Sequence, residues 1–283
     1  MYVFKAAVIG AGTMGAEIAQ VISLSGLPVI LKDVDEKQLG RGMKHIKGIY
    51  ERRVQRGRMT QREAEDHFAL VTAQLDYQGF SDVDLAIEAV PEKLDLKRSV
   101  LREVEGNLPR TAMIATNTSA LPVSEVAKGL EKPSRFLGLH FFFPASVMRL
   151  VEVIGGDATD DETVDSGVEF VEGIRRIPVR VKECPGFLVN RVLMAGLAEV
   201  FRAERDLGLE PARIDAAVAA SGLAPMGPYA LADALGLDIA QEVSETLKAA
   251  YGDRFDLGDR IAALIAEGKR GAKTGQGFYT YTG

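Results

Sequence analysis

Short apolar runs alternate with amphipathic segments through roughly the first 180 residues of the chain. Residues 3–10 are apolar apart from Lys5 and predict a buried strand, whereas Met14, Ile18 and Val21 share one face of a helix predicted over residues 13–25. Further predicted strands are 29–31, 85–90, 113–115 and 136–139, and further predicted helices are about 35–58, 94–104 and 124–130. This alternation predicts an α/β fold with a Rossmann-type, doubly wound and mostly parallel sheet.

The pattern changes after a short apolar run at residues 179–181. Cys184-Pro185-Gly186 interrupts the chain, and only helical periodicity follows, up to about residue 267. We therefore predict a Rossmann-type domain over residues 1–183 and an all-helical C-terminal domain over residues 184–283. The Ala- and Leu-rich helical faces of the second domain predict a homodimer. The tail from residue 270 to residue 283, with four glycines and two tyrosines, is expected to pack as an irregular cover.

A glycine-rich turn follows the first predicted strand. The sequence Gly10-Ala11-Gly12-Thr13-Met14-Gly15 has the form G-x-G-x-x-G and opens the first predicted helix. In a βαβ unit such glycines permit a tight turn, close approach of the backbone to a pyrophosphate, and close helix packing. The helix N-terminus adds unpaired N–H groups for the phosphates. This segment therefore predicts a dinucleotide site, the alternative being a glycine turn that binds nothing.

Asp33 ends the second predicted strand, 23 residues after Gly10. A carboxylate at this place accepts hydrogen bonds from an adenosine ribose diol and repels a 2′-phosphate. NAD is therefore the predicted cofactor in preference to NADP, although Lys32 beside it weakens the preference slightly. The alternative is that Asp33 is a solvated strand end.

Two loops at the carboxyl ends of predicted strands are placed to touch the cofactor. The first contains Ala89, Val90 and Glu92, and the second, residues 116–120, contains Asn117 and Ser119. The hydroxyl and amide groups of the second loop also suit an ordinary helix N-cap. Lys97 lies one turn into the helix after the first loop. Apart from any resemblance to a known family, the sequence predicts a solvated lysine there.

His140 ends a predicted strand and is the candidate acid–base group, because imidazole titrates near neutral pH. If the runs on either side of Pro144-Ala145-Ser146 fold back as a hairpin, His140 faces Glu152. Glu152 interrupts an apolar run, and a buried carboxylate needs a partner. The alternative is a core histidine with an edge glutamate facing water. The other histidines, His45 and His67, lie among charged residues and are expected to face solvent.

Asn190 lies early in the first predicted helix of the second domain, from which its side chain could reach a cleft between the domains. The alternative is an ordinary polar helix position.

The overall charge limits the kinds of partner that the chain is expected to bind. The formal net charge is −6 and the pI is near 5.3, which argues against nucleic acid or an anionic membrane as the main ligand. A local basic pocket for a phosphorylated small molecule is still compatible with this balance. No metal site is expected.

The single cysteine, Cys184, excludes an intrachain disulfide, and together with the lack of a leader-like N-terminus it predicts a cytoplasmic protein. The alternative is a mature organellar protein, whose sequence would look the same. No apolar run is long enough to predict a membrane span.

At this point the chain resembles the L-3-hydroxyacyl-CoA dehydrogenases, and especially the dehydrogenase portion of multifunctional fatty-acid oxidation proteins. The resemblance covers essentially the whole chain. Beyond the glycine turn, it rests on Ile87-Glu88-Ala89-Val90-Pro91-Glu92, Gly138-Leu139-His140-Phe141-Phe142, Val151-Glu152-Val153-Ile154, Pro185-Gly186-Phe187, Asn190-Arg191, Pro225-Met226-Gly227-Pro228 and Lys273-Thr274-Gly275-Gln276-Gly277-Phe278-Tyr279.

The resemblance implies oxidation of a (3S)-3-hydroxyacyl-CoA by NAD, with His140 as general base and Glu152 as its partner. It implies that Ser119 and Asn190 contact the substrate and that the second domain helps to form the substrate cleft. The positions that match cofactor contacts are Met14, Asp33, Val90, Glu92, Lys97 and Ser119. It also implies a homodimer, or membership of a larger fatty-acid oxidation assembly.

One departure from the family pattern is Phe143, where these enzymes usually carry asparagine close to the cofactor and the catalytic groups. A bulky apolar side chain there removes a polar contact and could overfill a tight pocket. A catalytically impaired, NAD-binding relative is therefore one alternative function. A dehydrogenase of free 3-hydroxy acids is another.

Overall fold

The structure, a computed structural model, describes residues 2–222 and 224–281. The chain divides into two compact units, Met1–Cys184 and Pro185–Gly283. Strands in the described part of the first unit are β1 (Ala6–Ile9), β2 (Val29–Lys32), β3 (Val71–Gln74), β4 (Leu85–Glu88), β5 (Met113–Thr116), β6 (Phe136–Phe141), β7 (Leu150–Gly155) and β8 (Ile177–Lys182). They form one sheet in the order β3-β2-β1-β4-β5-β6-β7-β8.

The strand order confirms the predicted Rossmann-type sheet. From β3 to β6 all neighbouring strands are parallel, and the order is that of a doubly wound dinucleotide-binding fold. The strand order reverses between β1 and β4. The chain leads from β1 to β2 on one side and from β4 to β5 on the other. The chain segments after these two strands therefore border a crevice of the kind in which ligands bind. β7 then pairs antiparallel with β6, and β8 pairs parallel with β7.

Helices flank the sheet of the first unit. They are α1 (Thr13–Leu24), α2 (Glu36–Gln55), α3 (Gln61–Phe68), α4 (Leu94–Glu105), α5 (Val123–Val126) and α6 (Asp161–Gly173). The central strands are buried along their whole length, as β1, β2, β4 and β5 show, because both faces of the sheet are covered. The helix predicted over residues 124–130 is wrong in length, since α5 is a single turn and Gly129 has a φ of +98°.

The second unit is helical, as predicted. Its helices are α7 (Val189–Leu207), α8 (Pro211–Ser221), α9 (Pro228–Leu235), α10 (Leu237–Tyr251) and α11 (Asp259–Ala266). Met194, Leu197, Ala198 and Phe201 recur at helical spacing along α7 and are buried in the core of this unit. The ring of Phe201 lies 4.7 Å from that of Tyr229 and 5.7 Å from that of Phe278. Phe278 is partly buried and packs against this core.

The glycine-rich tail packs around one buried carboxylate. Asp233 on α9 accepts hydrogen bonds from the backbone N–H groups of Phe278 and Tyr279, both at 2.9 Å. A Cβ on Gly271 would lie 2.3 Å from the Asp233 carbonyl oxygen, and a Cβ on Gly277 would lie 2.0 Å from its carboxylate. Glycine is therefore required at both positions by close approach. Residues 282 and 283 of the predicted cover lie outside the described residues.

Candidate active site

The glycine turn is built for the close approach of a ligand to the backbone. Gly10 has a φ of +106°, and a Cβ there would lie 2.7 Å from the carbonyl oxygen of Ala89 in the loop after β4. A Cβ on Gly15 would lie 1.8 Å from the carbonyl oxygen of Gly10. Gly12 differs, because a Cβ there would meet nothing within 4 Å. Two glycines thus close the turn, and the third leaves open space above it where a pyrophosphate fits.

The start of α1 supplies the donors that a dinucleotide needs. Gly12 is the N-cap residue, and no side chain of the described residues caps the helix, so the first-turn N–H groups have no side-chain acceptor among them. Thr13 is exposed at this end, whereas Met14 is half-buried and packs against the core. This arrangement fits the phosphates of a dinucleotide.

Asp33, at the end of β2, braces the same turn. One carboxylate oxygen accepts a hydrogen bond from the N–H of Ala11 at 2.7 Å, and the other accepts one from the N–H of Val34 at 2.7 Å. The oxygen that accepts from Val34 also accepts from the N–H of Asp35 at 3.2 Å. A carboxylate oxygen has two lone pairs, so the oxygen that accepts from Ala11 keeps one for a ribose hydroxyl. The neighbouring Lys32 is 3% exposed and its amino group lies 4.3 Å above the ring of Tyr77. The charge of Lys32 is therefore balanced by the ring face rather than by solvent alone.

The local sequence predicts that Lys97 is a solvated lysine, and this prediction is wrong. Lys97 is fully buried on α4, and its amino group donates hydrogen bonds to the two carboxylate oxygens of Glu88 at 2.8 and 3.1 Å. It also lies 3.1 Å from the carboxylate of Glu92. Glu88 ends β4 and additionally accepts from the hydroxyl of Thr116, at the end of β5, at 2.6 Å. Burial of Glu88 requires a cation, and Lys97 provides it.

Glu92 ties the loop after β4 to the loop after β5. Its carboxylate accepts hydrogen bonds from the Thr118 hydroxyl at 2.5 Å and from the backbone N–H groups of Ser119 and Ala120 at 2.9 and 3.2 Å. Burial opposes ionisation of this carboxyl, but the nearby Lys97 ammonium and these hydrogen bonds outweigh it and hold the pKa of Glu92 below its usual value. The backbone of Ser119 is thus anchored by an ionised carboxylate.

Val90 and Asn117 form hydrogen bonds that hold the same two loops in place. The N–H of Val90 donates to Glu88 at 2.7 Å, and its carbonyl accepts from Lys97 at 3.2 Å. The N–H of Asn117 donates to the carbonyl of Glu88 at 2.8 Å, and its side-chain oxygen accepts from the N–H of Phe141 at 2.9 Å. Asn117 therefore links β4, β5 and β6 at their carboxyl ends.

The predicted register of the hairpin is confirmed. His140 on β6 is directly opposite Glu152 on β7, and the His140 Nδ1 lies 2.7 Å from a Glu152 carboxylate oxygen. The two side chains are 5% and 0% exposed, respectively. The ring of Phe142 packs at a tilt 4.4 Å from the imidazole. An ionised carboxylate can only accept, so the contact favours the neutral tautomer with its proton on Nδ1 and leaves Nε2 as the basic nitrogen.

The expectation that His45 and His67 face solvent holds only in part, since both are half-buried. His45 pairs with Glu17, a buried residue of α1, at 3.1 Å. The Nδ1 of His67 donates to the carbonyl of Ser23 at 3.0 Å. Polar neighbours in the sequence therefore did not mean exposure, because α2 and α3 pack these rings against α1.

Phe143 lies in the loop between β6 and β7 and is 57% exposed. With Glu17 and His45 it lines a cavity of about 480 Å³. The ring is therefore not enclosed by the described residues of this unit. Asn190 is half-buried in the first turn of α7 and belongs to the second unit.

Glu88, Thr116 and Thr118 were not singled out from the sequence as site residues. Glu88 gave a usable signal, because it is a carboxylate at the end of an otherwise apolar strand, as Glu152 is within another. The two threonines gave none beyond their place in a strand-end loop.

Comparison with known proteins places the chain in a family. Residues 5–184 match the family described as "3-hydroxyacyl-CoA dehydrogenase, NAD binding domain", and residues 186–281 match the one described as "3-hydroxyacyl-CoA dehydrogenase, C-terminal domain". The chain therefore belongs to the 3-hydroxyacyl-CoA dehydrogenase family, with NAD as the cofactor of its first unit.

Three relatives illustrate the range of this similarity. The fatty acid oxidation complex subunit alpha of Idiomarina loihiensis is 38% identical over 98% of this chain, which spans only 39% of that protein's length. The crystal structure of (S)-3-hydroxybutyryl-CoA dehydrogenase PaaH1 from Ralstonia eutropha has a TM-score of 0.93 and 31% identity, and FadB2 from M. tuberculosis has a TM-score of 0.96 and 32% identity. In both comparisons the match covers 100% of this chain and 100% of the other chain.

Within the residues that the structure describes, none of the helices combines the length and the apolar character needed to cross a bilayer.

Proposed function

We propose that the chain catalyses the NAD-dependent oxidation of a (3S)-3-hydroxyacyl-CoA to the 3-oxoacyl-CoA, with His140 as general base. The observation that carries this proposal is the buried contact of 2.7 Å between His140 and Glu152. The contact joins β6 to β7, the glycine turn follows β1 of the same sheet, and both belong to the first unit. Family membership supplies the substrate class, and the relative PaaH1 is named as acting on the four-carbon member of that class.

The chemistry of the pair follows from its hydrogen bond. The Nδ1–H of His140 donates a hydrogen bond to Glu152, so Nε2 can take the proton of the substrate hydroxyl. The imidazolium formed in this step is stabilised by the carboxylate of Glu152. Bound NAD supplies the acceptor for the hydride that leaves C3, and the C3–O bond becomes a carbonyl. In the reverse direction His140 returns the proton to the oxygen.

Binding roles are proposed for the other residues of the site. The glycine turn (Gly10, Gly12, Thr13, Met14 and Gly15), Asp33, and the loops with Ala89, Val90, Glu92 and Asn117 would hold NAD. Lys97 would act by fixing Glu88 and Glu92. Ser119 and Asn190 would hydrogen-bond the substrate near its reacting oxygens. Ser119 suits this role because its backbone is anchored to Glu92 at 2.9 Å.

The wider setting of the enzyme is also part of the proposal. We propose that residues 184–283 contribute to the substrate cleft and mediate a homodimer in the cytoplasm. Sequence similarity to the alpha subunit of a fatty acid oxidation complex supports a role of this chain in fatty-acid oxidation, either alone or within a larger assembly.

The test is NADH formation at 340 nm from (S)-3-hydroxybutyryl-CoA, with His140→Gln as the variant. We expect kcat to fall by at least ~100-fold, as for loss of a general base. His45→Gln is the matched control, because glutamine can still donate to Glu17, and its kcat should equal that of the unmodified chain. Near-normal turnover by His140→Gln would refute the assigned role. NADH from free 3-hydroxybutyrate but not from the thioester would favour the free-acid alternative, and NAD binding without turnover would favour the impaired relative.

A further inference from the structure

A second polar cavity lies in the first unit, apart from the His140–Glu152 contact. It has a volume of about 490 Å³ and is bordered by the end of α1, the end of α2, α3, the loop before β7 and the end of α6. Five arginines line it: Arg53, Arg58, Arg149, Arg175 and Arg176. The volume is in the range of small-molecule sites, which run from about 300 to 1,000 Å³.

The positive charge of this cavity is not balanced by protein carboxylates. Among residues 2–222 and 224–281, none of the five arginines forms an ion pair within 4.0 Å of an acidic group. Glu63 is the acidic residue in the lining, and its carboxylate accepts from the backbone N–H of Thr60 at 2.7 Å as part of the cap of α3. In a chain of net charge −6, this concentration of guanidinium groups needs an explanation.

Two of the guanidinium groups have buried donors that lack a partner. The Nε atoms of Arg53 and Arg176 are buried and make no hydrogen bond among the described residues. Arg176 also donates from its terminal nitrogen to the carbonyl of Ala145 at 3.1 Å, which fixes the side chain in place. Burial and the like charges of Arg149 and Arg53 lower the pKa of the Arg176 guanidinium. Such an arrangement is costly unless an anion compensates it.

The end of α6 fixes the backbone at the cavity edge. Arg175, two residues after α6, has a φ of +59° and forms a helix C-terminal motif in which its N–H bonds to the carbonyl of Glu172 at 2.8 Å and the N–H of Arg176 bonds to that of Val171 at 3.0 Å. These bonds hold the two arginines in place at the cavity edge. The lining also includes the apolar residues Val21, Leu24 and Ile174. The cavity therefore offers both cationic donors and apolar surface for an organic group.

We propose that this cavity is a binding site for a phosphate-bearing organic anion. Guanidinium groups match phosphate oxygens in geometry and charge, and several of them together favour a di- or polyphosphate over a single carboxylate. The anion could be the nucleotide end of the acyl-CoA substrate or a separate phosphorylated metabolite that binds without reacting. The site goes beyond the proposed hydride transfer, and its occupancy does not depend on turnover.

The primary test is calorimetric titration of the full chain at low ionic strength with inorganic pyrophosphate and with adenosine 3′,5′-bisphosphate. We expect saturable binding that weakens as salt is added, because charge pairs at a solvent-accessible site are screened. Arg53→Gln and Arg176→Gln should each weaken binding by at least about tenfold, since each removes a charge-assisted donor. The matched control is Arg62→Gln, whose side chain is 92% exposed on α3 outside the cavity, and it should bind like the unmodified chain.

A melting experiment guards against variants that fail to fold. Pyrophosphate should raise the Tm of the unmodified chain and of Arg62→Gln, because a ligand that binds the native state stabilises it. The increase should be smaller for Arg149→Gln, an exposed position whose replacement leaves the core intact. Absence of saturable binding by either probe, or equal affinity in the cavity variants and in Arg62→Gln, would overturn the proposal.

Kinetics then separates the two sources of the anion. If the site holds the nucleotide of acyl-CoA, adenosine 3′,5′-bisphosphate should compete with the thioester, and the cavity variants should raise KM for acyl-CoA but not for an acyl-pantetheine. If it holds a separate metabolite, pyrophosphate should bind equally well in the presence of saturating acyl-CoA. Either pattern supports the site. Because the titration needs no turnover, it stands even if the proposed oxidation is refuted.

Discussion

The sharpest prediction concerns the carboxylate behind the imidazole, and the perturbation is Glu152→Gln. This substitution preserves the size of the side chain and an oxygen that can accept from Nδ1, but removes its negative charge. The contact of 2.7 Å is between side chains that are 5% and 0% exposed. Water therefore has little access to the imidazolium and cannot compensate for the lost carboxylate charge. The variant therefore isolates the electrostatic contribution of Glu152 to the proton transfer.

The expected magnitude follows from the contact. A carboxylate and an imidazolium with charge centres roughly 4 Å apart attract by about 4 kcal/mol at an effective dielectric constant near 20. The amide retains a hydrogen bond worth about 1 kcal/mol, so about 3 kcal/mol of stabilisation is lost from the protonated state. Because that state develops as the hydroxyl proton moves, kcat should fall by roughly 100-fold. KM should change little, since the charge is absent from His140 before the reaction.

The assay is steady-state NADH formation from (S)-3-hydroxybutyryl-CoA, repeated with substrate deuterated at C3. Slower chemistry should increase the deuterium isotope effect on kcat, which a purely structural defect would not do. Glu162→Gln, at an exposed carboxylate on α6, is the control and should behave like the unmodified chain. A kcat for Glu152→Gln within about threefold of the unmodified value would mean a contribution below ~1 kcal/mol and would refute the reasoning.

Three further changes test other parts of the site. Lys97→Met leaves Glu88 buried without its cation and should lower the free energy of unfolding in urea by ~3–5 kcal/mol, whereas a loss under about 1 kcal/mol would contradict the buried pair. Because the pKa of Glu92 is lowered by folding, its stabilising contribution is present above the usual value of 4.5 and disappears as the pH falls through the lower native pKa. Unfolding measured from pH 6 to pH 3 should therefore show a shallower decline for Glu92→Gln than for the unmodified chain, and parallel curves would count against this assignment. Phe143→Asn should raise kcat/KM by about fivefold through one regained polar contact, and an equal or lower value would show that Phe143 is harmless.

The hairpin and the buried lysine show what sequence reasoning can and cannot reach. The register of β6 and β7 was predictable because it depends on a short loop and on a carboxylate that interrupts an apolar run. The same logic applied to Glu88 would have indicated a buried cation, but the choice of Lys97 depends on how α4 packs against the end of β4. That packing is tertiary and has no local pattern.

Elements with little buried surface were also missed. β3 is a four-residue edge strand with polar and half-exposed positions, and α3 buries only Ala64 among its residues. Hydrophobic periodicity carries little signal where a short helix or a short strand contributes so little to the core. The capping box of Thr60 and Glu63 at the start of α3 is the feature from which that helix could have been predicted. The anchoring of Ser119 by Glu92 required the structure, because it joins two loops from different strands.

The antiparallel pairing of β6 with β7 makes the His140–Glu152 contact independent of the loop that joins the two strands. The spacing of the imidazole and its carboxylate is maintained by the hydrogen-bond ladder, which does not depend on the composition of the loop that joins the strands. That loop, residues 142–149, carries the exposed Phe143 and contributes Ser146 to the lining of both described cavities. Variation in the loop can therefore change the lining of both cavities while the pairing of His140 with Glu152 is kept.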